Sequence, residues 1–308
     1  MIEFSKNTAV VFPGQGSQVV GMGADLYESS EEAKSIFEEV NQTLDRNLSE
    51  IIFSGSQEDL NKTENAQPAI TATSLACLAV FKEKYPKFQP NATAGHSLGE
   101  YTSLCASNSL SISDTIKLVS ERGRLMQIAC DKNPGGMVAL IGMDIQTVEE
   151  VCREAGAYPS NINSEQQIII SGDNDALAIA VDLAKARGAK KAIKLSVGGA
   201  FHSILMEPAR DSLIEFIETL DFKDPAIPLI GNVNAEPLTS SEDIKNELID
   251  QLMSCVQWND TIKYMSANGY DQFIEFGPGK VLSGLIKRID SNCSTSNIDS
   301  LEALEFSV

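Results

Sequence analysis

Residues 92–99 read Ala92-Thr93-Ala94-Gly95-His96-Ser97-Leu98-Gly99, a short apolar run that passes directly into a G-x-S-x-G turn. Glycine is needed on both sides of the serine because the chain turns so sharply that a Cβ at either position would clash. Between a strand and a helix, such a turn holds the serine hydroxyl out at the helix N-terminus. Ser97 is therefore a candidate nucleophile, and the alternative interpretation is a tight turn with a capping serine.

The rest of the chain alternates between strand and helix patterns, which favours an α/β architecture with a largely parallel sheet. Thr8 to Phe12 is a β-branched and apolar run that predicts a strand. Gln67 to Lys84 predicts a helix opened by Pro68 in its first turn. Gln272 to Phe276 predicts a strand that turns through Gly277-Pro278-Gly279 into a last helix.

A second pattern occupies the middle of the chain. The predicted strands are Met137 to Gly142, a segment around Asn161, Gln167 to Ser171 and Lys191 to Val197, and the predicted helices are Gln146 to Glu154 and Asp175 to Arg187. The order β-α-β-β-α-β is that of a ferredoxin-like unit. We therefore predict an inserted domain at 130–198 and a large domain formed by 1–129 and 199–308. The returning segment predicts a helix from Ser203 to Leu220 and a strand from Pro228 to Val233.

Composition excludes several classes of protein. The 308 residues carry 24 Lys and Arg against 43 Asp and Glu, a net charge of -19, and 43% of them are hydrophobic. That hydrophobic fraction excludes a disordered chain. The negative charge argues against nucleic acid and anionic membranes as partners, because both require a basic face.

No stretch has the apolar length of a membrane helix, and Met1-Ile2-Glu3-Phe4 lacks the basic start of a signal peptide. We therefore expect a cytoplasmic protein. The six cysteines show no C-x-x-C spacing, so we expect reduced thiols and neither a disulfide framework nor a metal site.

A serine hydroxyl needs a base within hydrogen-bond reach to act as a nucleophile. The chain has two histidines, and His96 is adjacent to Ser97 in the strained turn, where its ring is poorly placed to reach the neighbouring hydroxyl. His202 remains, in the loop Gly198-Gly199-Ala200-Phe201-His202-Ser203. Serine followed far downstream by histidine is the chain order of α/β-hydrolase-type sites, and the alternative for His202 is a purely structural histidine.

Charge that develops on an ester or thioester oxygen needs preorganised N–H donors. The N–H of Leu98 is well placed at the helix N-terminus, and a second donor could come from Gln15 in the loop Pro13-Gly14-Gln15-Gly16-Ser17-Gln18. That loop matches neither G-x-G-x-x-G nor G-x-x-x-x-G-K, so nucleotide binding is not favoured.

Arg122 indicates the class of substrate. Leu118, Arg122, Leu125 and Ala129 recur at helical spacing, so the arginine shares a stripe with apolar residues. A buried guanidinium needs an anion. That anion is either a core Asp or Glu or a carboxylate on the substrate, held in the bidentate geometry that arginine offers.

Several segments, in order along nearly the whole chain, resemble the malonyl-CoA:acyl carrier protein transacylases of type II fatty acid synthesis. They are residues 11–18, 95–100, Arg122-Gly123 with Met126-Gln127, 161–164, 201–203, Val256-Gln257-Trp258 and 277–282. The resemblance implies an α/β-hydrolase-like large domain with an inserted ferredoxin-like small domain, in agreement with the division above.

The resemblance also implies roles for individual residues. Ser97 would become malonylated and His202 would be its base. The other substrate-binding positions that it implies are Arg122, which would bind the malonyl carboxylate, Gln15 and Leu98 as backbone oxyanion donors, Gln251, whose region would orient the histidine through a backbone carbonyl, Asn163 and Phe201. Cys255 stands where a proline is common, and Gly199 stands where some relatives have His or Tyr.

The implied reaction is a ping-pong transfer of malonyl from malonyl-CoA to the phosphopantetheine thiol of acyl carrier protein, without metal or other cofactor. We expect a monomer. Carrier proteins are acidic, so a basic surface is required, and the candidates are Lys190, Lys191, Lys194, Lys280, Lys287 and Arg288. Three alternatives remain at this point: a serine hydrolase of neutral esters, a non-catalytic carrier-binding protein, and a transacylase for another extender such as methylmalonyl.

Overall fold

The computed structural model describes residues 7–306, so Met1 to Phe4 lie outside the described residues. The strands of the described part are β1 (Thr8–Phe12), β2 (Ala92–Gly95), β3 (Gly136–Ile141), β4 (Tyr158–Ser164), β5 (Gln167–Gly172), β6 (Lys191–Lys194), β7 (Leu229–Ile230), β8 (Pro237–Leu238), β9 (Gln272–Phe276) and β10 (Ser294–Ile298). The helices are α1 (Ala24–Ser29), α2 (Glu31–Thr43), α3 (Leu48–Ser54), α4 (Gln57–Asn61), α5 (Thr63–Lys84), α6 (Leu98–Ala106), α7 (Ile112–Lys132), α8 (Ile145–Ala155), α9 (Asn174–Ala186), α10 (Glu207–Ile217), α11 (Ser241–Gln251), α12 (Trp258–Ala267), α13 (Val281–Ile289) and α14 (Leu301–Phe306).

Six strands form a mostly parallel sheet in the order β10-β9-β1-β2-β7-β8. Only the β7–β8 pair is antiparallel. The central strand β1 is buried along its whole length because both of its faces are covered. Val10 and Phe12 enter the core on one face, and Ala9 and Val11 enter the core on the other. This alternation follows from the two-residue period of a strand.

The second sheet is antiparallel and has the order β4-β5-β3-β6. The four strands of this sheet and the helices α8 and α9 follow one another along the chain as β-α-β-β-α-β, in the predicted order. One face packs against α8 and α9 through residues such as Val138 and Ile170. On the other face, Met137, Ala139 and Ile169 join the core of the larger sheet. The antiparallel sheet therefore forms a wall that faces the parallel one.

A backbone contact joins β4 of the antiparallel sheet to the segment between α11 and α12. The N–H of Ile162, in β4, donates to the carbonyl of Val256 at 2.9 Å, and the N–H of Val256 donates to Ser160 at 2.9 Å. Val256 is fully buried. This pairing fixes β4 to the segment between α11 and α12.

The structure corrects the predicted start of α5. The helix begins at Thr63, so the prediction that Pro68 opens it is wrong. A proline inside a helix leaves the carbonyl four residues earlier without its usual donor. Here that carbonyl belongs to Glu64, and Arg46 Nη2 donates to it at 3.1 Å. The contact with Arg46 replaces the bond that Pro68 removes.

Two further predictions change in the returning segment. The single helix predicted from Ser203 to Leu220 is a 3-10 turn, Ile204–Met206, followed by α10 with Pro208 in its first turn. The strand predicted from Pro228 to Val233 shortens to β7. The backbone N–H groups of Asn232 and Val233 donate to the Glu247 carboxylate instead of a neighbouring strand.

The turn between β2 and α6 depends on two glycines that pack against backbone. A Cβ at Gly95 would overlap the carbonyl of Gly99, and a Cβ at Gly99 would overlap the carbonyl of Phe12. With no side chain at either position, α6 approaches β1 and β2 as closely as backbone allows.

We predict that Gly99→Ala lowers the free energy of unfolding by more than about 2 kcal/mol, because the added methyl meets backbone that cannot change rotamer. Urea unfolding followed by circular dichroism measures the change. Gly284→Ala, in α13, is the matched control because nothing lies within 4 Å of its added Cβ. It should gain about 0.5–1 kcal/mol from helix propensity. A Gly99→Ala variant as stable as the parent would contradict the close packing.

Candidate active site

Ser97 occupies a strained backbone position between β2 and α6. Its φ is 52° and its ψ is -103°, in a region that residues with a Cβ rarely adopt. Such conformations cost about 1–3 kcal/mol and persist where the surrounding structure enforces them. The Ser97 side chain makes no capping hydrogen bond to α6. The structure therefore does not support the alternative interpretation of Ser97 as a helix cap.

The structure pairs Ser97 with His202. Ser97 Oγ lies 2.7 Å from His202 Nε2, and His202 Nδ1 lies 2.8 Å from the backbone oxygen of Gln251. A carbonyl oxygen can only accept, so Nδ1 carries the proton and the lone pair of Nε2 faces the serine hydroxyl. The arrangement is that of a nucleophile with its base, in which a backbone carbonyl orients the base.

His202 is buried, and its environment keeps it neutral. Burial lowers the pKa of His202 to about 3, and the positive charge of Arg122 contributes to the shift. The hydrogen bond to Gln251 acts in the opposite direction. A neutral imidazole can accept the serine proton at physiological pH.

Arg122 is buried, and neutral groups surround its guanidinium. Nη1 donates to Gln67 Oε1 at 3.0 Å, and Nη2 donates to Gln251 Oε1 at 2.9 Å and to Ser97 Oγ at 3.3 Å. The group also lies over the Tyr101 ring, 4.7 Å from the centroid. None of the ion pairs within residues 7–306 involves Arg122. Of the two anions that the sequence left open, a directly bonded core carboxylate is thus absent from the described part.

His96 is directed toward the antiparallel sheet. Its Nε2 lies 2.7 Å from Asn163 Oδ1, and its ring meets the Trp258 ring edge-on at 5.7 Å between centroids. Burial lowers the pKa of His96, so this ring is also held neutral. Asn163, at the end of β4, therefore links the antiparallel sheet to the G-x-S-x-G turn.

A cavity of about 550 Å³ lies between the two sheets and reaches Ser97, Arg122 and His202. Phe201 and Gln15 also line it, and the apolar face of the antiparallel sheet forms its opposite wall. Gln15 Nε2 lies 3.4 Å from Thr63 Oγ1. The cavity therefore gathers the reactive groups beside an apolar surface, which is typical of a small-molecule site.

Leu98 contributes to the site only through its backbone. Its side chain is fully buried in the core. As the first residue of α6, Leu98 has an N–H without an acceptor inside the helix. That N–H is available to a developing negative charge beside Ser97.

The space next to Gly199 is occupied by the side chain of Cys130. A Cβ at position 199 would overlap the Cys130 sulfur. A larger side chain at Gly199 would therefore require a different residue at position 130.

Sequence analysis missed four polar residues of the site: Gln67, Glu100, Asn232 and Glu247. All four are buried. Gln67 binds Arg122, and Asn232 binds the peptide groups around Ser97. A glutamine within the apolar run of α5 is the same kind of signal as Arg122 in α7 and could have identified Gln67. No pattern in the sequence distinguishes Asn232.

The six basic candidates lie on or directly before two elements, β6 and α13. Lys191 and Lys194 are on β6, which precedes a cavity-lining segment, while Lys280 directly precedes α13 and Lys287 and Arg288 end that helix. Arg288 Nη1 donates to Gln167 Oε1 at 3.2 Å. Within the described chain, none of the six, including Lys190, forms an ion pair.

Across residues 7–306, no group of three or more His, Cys, Asp or Glu side chains is arranged to hold a metal ion. None of the helices in that range combines the length and apolar character that a membrane crossing requires. All six cysteines are free thiols.

The chain is similar in sequence to known proteins over nearly its whole length. Residues 9–301 match the family described as the acyl transferase domain. The chain is 44% identical over 305 residues to the malonyl CoA-acyl carrier protein transacylase of Bacillus subtilis (strain 168), an alignment that covers 97% of this chain and 96% of the relative.

Solved structures of similar proteins have the same fold. The fold is similar to the crystal structure of an acyl carrier protein S-malonyltransferase from Vibrio cholerae O1, with a TM-score of 0.94, 40% identity and coverage of 98% of this chain and 99% of that one. It is also similar to a malonyl-transacylase solved in complex with its type II PKS acyl-carrier protein, with a TM-score of 0.95, 37% identity and the same coverage.

The lowered pKa of His202 predicts how the reactivity of Ser97 changes as the pH falls below 7.5. Because the folded pKa lies below the ordinary value, the imidazole stays neutral as the pH falls through 6.5. The rate of Ser97 phosphonylation by a fluorophosphonate at pH 5.5 should remain within about twofold of the rate at pH 7.5. An unperturbed histidine would lose about tenfold over that range.

Mass spectrometry of the intact protein measures the phosphonylation rate. Circular dichroism at each pH is the control, because a buried neutral histidine also favours the folded state less as the pH falls from about 6.5 toward 3. Half-loss of the rate near pH 6.5 in a folded protein would contradict the prediction.

Proposed function

Since this chain belongs to the acyl transferase domain family, we propose that it is an S-malonyltransferase that moves malonyl from malonyl-CoA to an acyl carrier protein in fatty acid synthesis. One observation carries the proposal. The guanidinium of Arg122 is buried beside Ser97 Oγ, at 3.3 Å, and its other bonds are to the neutral amides of Gln67 and Gln251. A substrate whose carboxylate is one methylene away from its reactive carbonyl, as in a malonyl thioester, supplies the missing anion.

The first half-reaction loads the enzyme. The malonyl carboxylate binds Arg122, and Ser97 Oγ attacks the thioester carbonyl while its proton passes to His202 Nε2. The N–H groups of Leu98 and Gln15 stabilise the tetrahedral oxyanion. The C–S bond then breaks, the proton on His202 passes to the departing sulfur, and CoA leaves a malonyl ester on Ser97.

The second half-reaction repeats these steps in reverse with a different thiol. The phosphopantetheine thiol of the carrier protein gives its proton to His202, and its sulfur attacks the ester carbonyl. The C–O bond to Ser97 breaks, and the serine recovers the proton from His202. The Gln251 carbonyl holds the imidazole in one tautomer throughout, because its bond to Nδ1 lasts whether Nε2 is protonated or not. The cycle uses groups of the protein, a thioester donor and a thiol acceptor.

The three alternatives are less well supported. A hydrolase of neutral esters has no use for the charge of Arg122, and a non-catalytic binder has no use for a serine paired with a neutral imidazole. Both are also disfavoured by the names of the similar proteins reported above. Malonyl is preferred over methylmalonyl because Leu98 and Phe201 resemble malonyl-preferring members of the family.

We further propose that the two sheets mark two domains, an α/β-hydrolase-like domain of residues 1–129 and 199–308 and a ferredoxin-like insert of residues 130–198. The strand order β4-β5-β3-β6, antiparallel throughout, supports the insert. The strand-turn-helix around Ser97 supports the larger domain. A monomer and a cytoplasmic location remain predictions.

The carrier protein requires a basic contact surface on a protein whose net charge is -19. We propose that Lys194 and Lys280 form part of it. Lys194 directly precedes Leu195, and Lys280 directly precedes Val281, and both following residues line the cavity. Val281 is also 59% exposed, which offers an apolar contact at the cavity mouth.

Substitution of Arg122 tests the function. Arg122→Ala should lower kcat/KM for malonyl transfer from malonyl-CoA to carrier protein by about 100-fold or more, because it removes the charged partner of the substrate carboxylate. Intact mass of the carrier protein measures the product. Arg124→Ala is the matched control, since Arg124 is on the same helix but is half exposed and pairs with Glu121. An Arg122→Ala variant with the parent rate would overturn the role of Arg122 in binding the substrate carboxylate, whereas a parent protein that releases malonate and loads no carrier protein would favour a hydrolase.

A second experiment tests the carrier surface. The double variant Lys194→Glu and Lys280→Glu should raise KM for carrier protein at least about fivefold, because it replaces attraction with repulsion. Loading of Ser97 from malonyl-CoA in the absence of carrier should stay within about twofold. Lys185→Glu, on α9, which has no residue on the cavity wall, is the control. An unchanged KM for carrier protein would exclude this surface.

A further inference from the structure

Asn232 binds the peptide groups on both sides of the G-x-S-x-G turn. Its Oδ1 accepts from the N–H of Ser97 at 2.7 Å, and its Nδ2 donates to the carbonyl of Gly95 at 2.7 Å. Asn232 is fully buried. A side-chain amide has the donor and the acceptor of a peptide group. Asn232 can therefore form the two hydrogen bonds that a neighbouring strand would otherwise form with the backbone of the turn.

The turn needs such a partner because regular structure cannot supply one. Ser97 has a positive φ and precedes the first turn of α6, so its N–H has no helical acceptor. Gly95 is the last residue of β2. The Asn232 side chain completes both bonds and therefore fixes the two peptides that aim the Ser97 hydroxyl.

Two buried carboxyl groups hold Asn232 in turn. The backbone N–H of Asn232 lies 2.6 Å from Glu247 Oε1 and 3.2 Å from Glu100 Oε2. Glu247 also accepts from the N–H of Val233 at 2.7 Å. Two carboxyl groups that converge on one N–H cannot both be ionised at low cost. Burial, followed by the charge of Glu247, raises the pKa of Glu100 well above its usual range, which favours the protonated form of Glu100.

The Glu100–Glu247 pair is also linked to Arg122, through Gln251. Gln251 Nε2 donates to Glu100 Oε2 at 2.9 Å and to the carbonyl of Ser97 at 2.9 Å. Gln251 Oε1 accepts from Arg122. The Glu100–Glu247 pair thus supports, through two amides, the N–H and the carbonyl of the same serine.

We propose that Asn232 is a positioning residue for Ser97, and that the Glu100–Glu247 pair holds it in place. The role in malonyl transfer rests on the function proposed above. Asn232 is fully buried and does not line the cavity. It fixes the serine hydroxyl against His202 Nε2 and the N–H of Leu98 against the oxyanion.

The test uses phosphonylation of Ser97 by a fluorophosphonate, a reaction that needs neither malonyl-CoA nor carrier protein. The Ser97 Oγ–P bond forms, the P–F bond breaks, fluoride leaves and the serine proton passes to His202. A failure of malonyl transfer in the parent would overturn the proposed function alone. The labelling result would still decide the role of Asn232.

Asn232→Ala should slow labelling at least about tenfold, because small misplacements of a nucleophile have large effects on rate. In malonyl transfer, kcat should fall likewise while KM for malonyl-CoA stays within about threefold, because Arg122 keeps its amide partners. Thr261→Val is the matched control. Thr261 Oγ1 donates to the carbonyl of Gly231 at 3.3 Å, so the variant loosens the same loop without touching the turn. Its labelling rate should stay within about twofold.

Asn232→Asp carries the test if Asn232→Ala does not fold. An ionised Asp places an oxygen against the Gly95 carbonyl and breaks that bond, whereas a protonated Asp donates to it. The labelling rate relative to the parent should therefore rise at least about fivefold as the pH falls from 8.5 to 6. The ionisable groups around this position are Glu100, Glu247, Asp250, Arg122 and His202, and the parent carries all of them, so the ratio isolates the new carboxyl.

Glu247→Gln and Glu247→Ala test the carboxyl pair. Glutamine keeps an acceptor for the N–H groups of Asn232 and Val233, so labelling should remain within about threefold of the parent, whereas alanine should slow it at least about tenfold. The proposal is overturned by an Asn232→Ala variant within twofold of the parent, by Thr261→Val as slow as Asn232→Ala, or by a flat pH ratio for Asn232→Asp. Equal rates for the two Glu247 variants would remove the carboxyl pair from it.

Discussion

Ser97 has a backbone conformation, with φ at 52° and ψ at -103°, that its neighbours must hold in place. A non-glycine residue at φ 52° is tolerated only where its surroundings enforce it. Gly95 and Gly99 let α6 lie directly against β1 and β2, and the Asn232 amide and Gln251 occupy the peptide groups that the turn leaves open. The strain and its supports together direct one hydroxyl into the cavity, within 2.7 Å of a neutral imidazole.

The second feature of the site is that the buried guanidinium of Arg122 is separated from the buried carboxyl groups. Arg122 is buried, yet its bonds go to the oxygens of Gln67 and Gln251, while the nearest carboxyl group in that network, Glu100, lies beyond Gln251. An amide satisfies hydrogen bonds without cancelling the charge, so the guanidinium keeps its attraction for an external carboxylate. That charge also lowers the pKa of His202 and helps to keep the base deprotonated. The proposed function thus gives one arginine two roles, binding of the substrate carboxylate and depression of the pKa of His202.

Strands with a strong local pattern in the sequence were predicted correctly. The strands Thr8–Phe12 and Gln272–Phe276 have the predicted bounds because apolar, β-branched runs end at Pro-Gly or Gly-Pro turns. Predictions were wrong where a distant residue replaced a local bond, as Arg46 does for the carbonyl that Pro68 leaves unpaired. The strand β10, with the polar sequence Ser294–Ile298, escaped prediction because only its pairing with β9 makes it a strand.

Residue type and spacing alone were enough to predict the candidate groups: a serine flanked by two glycines, a histidine other than the one in the turn, and an arginine in an apolar stripe. These are local properties of the sequence. The polar residues that surround the candidate groups were found only in the folded chain. Gln67, Glu100, Asn232 and Glu247 lie far apart along the chain or carry no distinguishing pattern, and their bonds exist only after α5, α6, α11 and the segment after β7 meet. Buried polar groups must find partners, and which partners they find depends on the packing of the whole chain.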